Sequence, residues 1–258
     1  MERCAFCDND AVEHGGEHIW DDWLNKWLQI SMHNFKYSLL HDKTKTRNYK
    51  ARKLDEKLPV VCTSCNSGWM SHVTERVKTL VQYVIRDGAQ ICFLPSGTAL
   101  LAAFTFMKAI CADHEICEDR EPFFTRAIRE RLRNSLTIPP VGVRMWIGAF
   151  QGEARYSGRF VPAVLSSSNP RLAGVEFFTF TYVVGHLVLQ LCAARWQQIL
   201  HRGNSVIPML KPDAYWDQAA IQFWPDNGSP VQWPPQKYFN DESMKEFINR
   251  FKLPVVVR

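Results

Sequence analysis

The sequence predicts a mixed α+β protein, because helical and strand periodicities both occur along the chain. Apolar residues recur at helical spacing in segments 20–28 and 69–84. Between residues 178 and 184, aromatic and aliphatic side chains alternate with threonine and valine, which is typical of a buried β-strand. Two Cys-x-x-Cys pairs, Cys4 with Cys7 and Cys62 with Cys65, lie within the N-terminal part. We therefore expect an N-terminal module at residues 1–92 and a mixed α+β domain at residues 93–258.

The remaining elements follow from the same periodicities and from turn residues. Helices are expected at 20–28, from Asn66 to Gly88, at 98–112, at 122–135 and at 241–251, where Asp241 is the expected N-terminal cap. Strands are expected at 141–150, 159–165, 175–192 and 221–224, with extended chain at 233–235 and a linker or turn at 95–97.

Composition predicts a folded protein of the cytoplasm. The chain has 258 residues, of which 46% are hydrophobic, so it can bury a sizeable core. Met1 is followed directly by motif residues, with no apolar signal-peptide stretch. The most apolar run, Val175–Cys192, contains polar residues and Gly185, which favours two buried strands over a membrane helix. We therefore expect a cytoplasmic location and no membrane partner.

The positive charge of the chain is concentrated in one segment. The net charge is +5, and the window from Lys36 to Lys57 alone contains eight basic and three acidic residues. Such a segment is either a solvated loop or a phosphate-binding surface, and its position between the cysteine pairs favours nucleic acid. The predicted contact residues are Lys43, Lys45, Arg47, Lys50, Arg52 and Lys53.

The four paired cysteines predict a structural zinc site. In a reducing compartment, paired thiols favour zinc over disulfides. Each Cys-x-x-Cys pair allows two sulfur atoms to reach one tetrahedral ion at about 2.3 Å. The other cysteines lack such spacing and are expected in the core. These are Cys92, Cys111, Cys117 and Cys192.

A second, catalytic metal is predicted between the cysteine pairs. Glu17 and Asn66 offer oxygen ligands for a divalent ion placed on a scissile phosphate. His18, adjacent to Glu17, is the candidate general base for the attacking water. Glu13 and His14 form the same dipeptide, but the two glycines that follow indicate a turn, so the second pair is preferred.

The motifs Cys4-x-x-Cys7, Glu17-His18-Ile19 and Cys62-x-x-Cys65-Asn66 resemble the zinc-knuckle branch of the HNH endonuclease family. The continuation through Gly68, Trp69 and Met70 is similar to a bacterial subgroup with a C-N-x-G-W-M signature. The resemblance covers the N-terminal module only. It implies a ββα-metal fold, structural Zn²⁺ at the cysteines, catalytic Mg²⁺ or Mn²⁺ at Glu17 and Asn66, and His18 as the base.

Three positions depart from the family pattern. Segment 54–59 lacks the asparagine that orients the base in many members, the spacer from His18 to Cys62 is long, and the acidic residue is Glu17 instead of aspartate. The spacer predicts an insertion at residues 21–47.

Two functions are compatible with these features. The first is an endonuclease that hydrolyses DNA phosphodiester bonds, with RNA as an alternative substrate and bacterial defence among the roles that fit. The second is a catalytically inactive zinc-knuckle module that binds nucleic acid or protein. Residues 93–258 have no readable function; sensing, partner docking and homodimer formation are all compatible with them.

Overall fold

The computed structural model describes residues 3–11, 16–18, 21–28, 33–38, 46–51, 57–115, 121–139, 142–152, 163–164, 176–195, 216 and 218–249. In these ranges the protein is a mixed α+β structure, as the sequence predicts. The N-terminal elements are β1 (Glu17–His18), α1 (Asp22–Trp27), β2 (His33–Ser38), β3 (Thr46–Ala51), β4 (Lys57–Leu58), α2 (Thr63–Cys65) and α3 (Ser71–Asp87). They are followed by β5 (Ile91–Phe93), α4 (Pro95–Glu115), α5 (Arg126–Ser135), β6 (Val143–Ala149), β7 (Ala163–Val164), β8 (Glu176–Val184), β9 (Leu187–Ala194), β10 (Ala220–Trp224), β11 (Val231–Trp233) and α6 (Asp241–Asn249).

An antiparallel strand pair and a long helical segment form the N-terminal part. β1 pairs with β4, with Glu17 opposite Leu58. The chain then runs through α2, a π-helical stretch at Asn66–Met70 and α3. The helical segment therefore begins three residues earlier than predicted. It ends as expected at Gly88, whose φ of 65° suits glycine.

The long spacer between β1 and β4 has structure of its own. It contains α1 and an antiparallel ribbon in which β2 pairs with β3 from His33 opposite Ala51 to Ser38 opposite Thr46. Two of the six predicted nucleic-acid contacts, Arg47 and Lys50, lie on β3. The other four, Lys43, Lys45, Arg52 and Lys53, lie outside the described residues.

The prediction of a linker at 95–97 is wrong, because these residues form the first turn of α4. Proline is well tolerated there, since the first-turn N–H groups have no helical partner. The Leu94 carbonyl accepts hydrogen bonds from the backbone N–H groups of Gly97 at 2.8 Å and Thr98 at 3.0 Å. By length and composition Pro95–His114 could cross a membrane, but 72% of its apolar window is buried inside the protein.

An antiparallel sheet of five strands packs behind α4, in the order β10-β6-β9-β8-β7. The apolar run 175–192 forms two buried strands, as predicted, and they join at Gly185 with φ 53°. The His186 N–H next to this turn donates to the Ile85 carbonyl at 3.1 Å, which ties the sheet to α3. Of the strand expected at 159–165, the described part is β7.

Two helix starts differ from the prediction. α5 begins at Arg126 and not at 122. α6 is capped by Asn240 and not by Asp241: the Asn240 side-chain oxygen accepts from the Ser243 N–H at 2.8 Å, and the Ser243 hydroxyl accepts from the Asn240 N–H at 2.9 Å. A reciprocal cap of this kind uses the residue just before the first helical turn.

The main hydrophobic core joins elements from both predicted parts of the chain. Its buried members include Leu58, Val77, Phe106, Phe178 and Trp233. A second cluster packs the outer face of the sheet against α6. The hydrophobic core is therefore continuous across residue 92. The division of the chain at that residue stays a prediction about function.

Candidate metal centre and active-site cleft

The four cysteine sulfur atoms meet in one cluster. All of them lie within 4.8 Å of one another. Sγ of Cys7 is 3.5 Å from that of Cys62 and 3.7 Å from that of Cys65. Four thiolates about 2.3 Å from a tetrahedral ion would be about 3.8 Å apart. Cys4, Cys7, Cys62 and Cys65 are thus close enough to bind a metal ion, as the sequence predicts.

Polar groups around the cluster stabilise thiolate sulfur. The Phe6 N–H donates to the Cys4 sulfur at 3.5 Å, and the Asn9 amide donates to the Cys62 sulfur at 3.9 Å. Hydrogen bonding with Cys65 lowers the pKa of Cys4 to about 4, and the same pairing raises the pKa of Cys65. Since thiolate is the metal-binding form, this environment suits a metal site.

The prediction that the other cysteines are core residues is correct for Cys111 and Cys192, which are buried. It is wrong for Cys92, which is exposed on β5 and accepts a hydrogen bond from the Gln232 amide at 3.1 Å. The short strand β5 buries Phe93 and turns its neighbour Cys92 outward. Cys117 lies outside the described residues.

A cleft of about 410 Å³ is lined by all three predicted catalytic residues. Glu17 and His18 reach it from β1, and Asn66 reaches it from the start of the π-helical stretch. The Asn66 amide donates to the Gly16 carbonyl at 3.3 Å, which joins the helical segment to the start of β1. The full lining is Glu17, His18, Asp21, Asp22, Trp23, Asn66, Ser67, Ser71, Thr74, Glu75 and Lys78.

His18 has an environment that favours its neutral form. Burial, together with the positive charges of Lys57 and Lys108, lowers the pKa of His18 below its ordinary value. Because its pKa is lowered, the imidazole is neutral at pH 7 and can accept a proton. The side chain is half-buried.

Lys108 is a site residue that the sequence analysis missed. Its ammonium group donates to Oε1 of Glu17 at 2.5 Å, to the backbone carbonyl of His18 at 2.7 Å and to Oδ1 of Asp21 at 2.9 Å. All three side chains of this triad, Glu17, Asp21 and Lys108, are buried. One signal was available: Lys108 is the single charged residue in the apolar run 98–112.

Burial and charge act in opposite directions within the triad. Burial alone would lower the pKa of Lys108, but Asp21 and Glu17 raise it above its ordinary value. Burial raises the pKa of Asp21, against the opposing effect of Lys108. Lys108 is therefore charged at neutral pH, and its charge opposes the effect of burial on Asp21.

The donor atoms of the cleft suit a hard divalent cation, since carboxylate and amide oxygens are the ligands preferred by Mg²⁺ and Mn²⁺. The cleft is not a ready-made cage of acidic and histidine ligands. Among the described residues, three or more Cys, His, Asp or Glu side chains have their ligand atoms within 4.8 Å of one another at the four cysteines, and not in the cleft. A catalytic ion at Glu17 and Asn66 therefore stays a prediction.

Comparison of the chain with protein-family models, with curated proteins and with solved structures finds no match.

Proposed function

We propose that this protein is a metal-dependent endonuclease of the HNH type, with a structural zinc ion at the four cysteines. The observation that supports this most directly is the convergence of Glu17, His18 and Asn66 on one cleft. Residues 17 and 66 are far apart in the chain, and the β1–β4 pair followed by the helical segment brings them together. This order of elements is also that expected for a ββα-metal module.

In the proposed reaction His18 removes a proton from the water that attacks a phosphodiester. Its neutral imidazole is available for this at pH 7, and the Lys108 hydrogen bond to the His18 carbonyl fixes the backbone that presents the ring. Glu17 and Asn66 would hold Mg²⁺ or Mn²⁺. When bound, the ion would supply charge stabilisation at the phosphate and the leaving oxygen.

DNA is the proposed substrate, with RNA as an alternative that has the same phosphodiester chemistry. The support is the basic segment Lys36–Lys57, which in the sequence follows β1, the strand that contributes to the cleft, and ends at the first residue of β4, the strand that pairs with β1. Basic residues concentrated in one segment can neutralise backbone phosphates and give binding that weakens with salt.

The test is cleavage of supercoiled plasmid DNA by the purified full-length protein with Mg²⁺ or Mn²⁺. His18→Ala should reduce the nicking rate by about 10²–10⁴-fold, the usual contribution of a general base. His72→Ala is the matched control, because His72 is an exposed histidine on α3 outside the cleft lining. Both variants should retain their zinc. Equal cleavage by His18→Ala and the native protein would rule out this mechanism.

A second candidate function is a zinc-knuckle module that binds nucleic acid or protein without cutting it. One observation favours it: Glu17 already has a buried cationic partner in Lys108, which competes with a metal ion for the carboxylate. Under this interpretation the native protein retards DNA in a gel, and neither Mg²⁺ nor Mn²⁺ produces nicked product.

A further inference from the structure

The buried triad beneath the cleft has an imbalance of charge. Glu17 and Asp21 are 5% and 6% exposed, and among the described residues the ammonium group that contacts both belongs to Lys108, which is 4% exposed. When both carboxylates are ionised, the single ammonium charge leaves a net charge of −1 in a poorly solvated place. Uncompensated buried charge is unfavourable and calls for a further cationic partner.

The uncompensated negative charge can be assigned to one carboxylate oxygen, Oδ2 of Asp21. Oδ1 of Asp21 accepts from Lys108, whereas Oδ2 is buried and has no hydrogen-bond partner among the described residues. Buried polar atoms without a partner are rare in native proteins. Asp21 also lines the cleft together with Glu17, His18 and Asn66. The residue that has the unpartnered oxygen therefore borders the proposed active site, and it also borders a small cavity next to Trp23 and Val77.

We propose that Asp21 is a further ligand of a divalent cation in this cleft, acting together with Glu17. This inference rests on the proposed function for the identity of the site. The cation class is that of Mg²⁺ and Mn²⁺, since the ligands are carboxylate oxygens. With both carboxylates ionised, a divalent ion beside the triad would change its net charge from −1 to +1, which is the sign required to bind a phosphate group.

Lys108 has a defined part in this arrangement. It binds one oxygen of each carboxylate, so Glu17 and Asp21 are held in fixed orientations from beneath the cleft. Asp21 precedes α1 and Glu17 lies on β1, so the two ligands come from different elements joined by this single ammonium group.

The experiment measures Mn²⁺ binding to the zinc-loaded, full-length protein by the electron paramagnetic resonance signal of free Mn²⁺. Asp21→Asn should raise the Kd for Mn²⁺ at least tenfold, with zinc content unchanged. This variant leaves Glu17 and Lys108 as a balanced pair, so it should fold. Asp22→Asn is the matched control: Asp22 is the next residue, also lines the cleft and is exposed. It should change the Kd less than twofold.

Asp21→Glu provides a second variant that keeps the charge for Lys108 but moves the carboxylate by one methylene group. If Asp21→Asn does not fold, Asp21→Glu should still bind Mn²⁺ at least threefold more weakly than the native protein. The inference is overturned if the native protein binds no Mn²⁺, or if the folded Asp21 variants bind it as tightly as the native protein.

The binding measurement separates this inference from the proposed function, because it requires no DNA. Weaker Mn²⁺ binding by Asp21→Asn, combined with a native protein that never cuts nucleic acid, supports the cation site and overturns the nuclease. Cleavage by the native protein with unchanged Mn²⁺ binding by the Asp21 variants supports the nuclease and overturns the role of Asp21.

Discussion

At the scale of single residues, the sequence placed Glu17, His18 and Asn66 in one candidate site, and the structure brings them to one cleft; nothing in the sequence indicated that Asp21 and Lys108 lie with them. The first three lie in motifs with recognisable spacing. Lys108 stands out only as a charge in an apolar helix, and its partners are about 90 positions away in the chain. A buried ion pair depends on tertiary packing, and no local pattern indicates which carboxylates will face a given lysine.

The importance of Lys108 can be measured through stability. Lys108→Met removes the ammonium group that contacts both buried carboxylates, and breaking a buried ion pair in this way costs about 3–5 kcal/mol. We expect a loss of that size in the free energy of unfolding, measured by urea denaturation.

Lys78→Met is the control for this measurement. Lys78 lines the same cleft, but its ion pair with Glu75 at 3.3 Å is partly exposed to solvent, where such pairs contribute about 0–1 kcal/mol. Similar losses for the two lysines would mean that Lys108 does not compensate the buried carboxylates.

At the scale of elements, the sequence predicted the long apolar helix and strands but placed several element boundaries at the wrong residue. Helix α4 is a long apolar run and the β8–β9 hairpin has clear alternation in its first strand, and both were expected. The start of α4 at Pro95 was missed because a proline after a short strand also suits a turn. The two-residue strands β1 and β4 have no periodicity to detect, although they position the candidate site.

Close packing at Gly16 is needed to keep β1 against β4. A Cβ atom added to Gly16 would overlap the backbone carbonyl of Leu58 on β4. Gly16→Ala should therefore destabilise the protein by about 1–3 kcal/mol, as overpacking does. Gly97→Ala is the control, because its Cβ would be 3.6 Å from Leu80, an ordinary contact, and alanine favours a helix. Urea unfolding should show a loss for the first and no loss for the second.

The cysteine cluster joins the N-terminal loop to the start of the helical segment, so loss of the metal should weaken both. Cys65→Ser on α2 should abolish retention of one zinc ion per chain after dialysis and lower the unfolding temperature, since metal binding contributes folding free energy. Cys92→Ser removes an exposed thiol away from the cluster and should retain zinc fully. The zinc content is measured with a colorimetric chelator after thiol-modifying reagents release the metal. Full zinc retention by Cys65→Ser would contradict the assignment of a zinc site to the four cysteines.

At the scale of the whole molecule, the sequence indicated two parts but not how closely they pack. The motifs of the proposed nuclease are confined to the N-terminal part, which is why a boundary at residue 92 was predicted. The structure adds that α3 packs against α4 and that the His186 N–H of the sheet binds the Ile85 carbonyl. Contacts between distant segments of this kind leave no local signal in the sequence.

This packing predicts that residues 1–92 are not an independent folding unit. A fragment of these residues would expose the apolar face of α3, including Val77, Val81 and Ile85, and would leave the buried carboxylates without Lys108. We expect the fragment to bind zinc but to show no cooperative thermal transition by circular dichroism, in contrast to the full chain.

A longer fragment, residues 1–115, restores α4 and Lys108 and should regain part of the cooperativity of unfolding. This result would separate the contribution of the helix from that of the sheet. Cooperative unfolding of the 1–92 fragment at the temperature of the full chain would show that the candidate site is assembled by the N-terminal part alone.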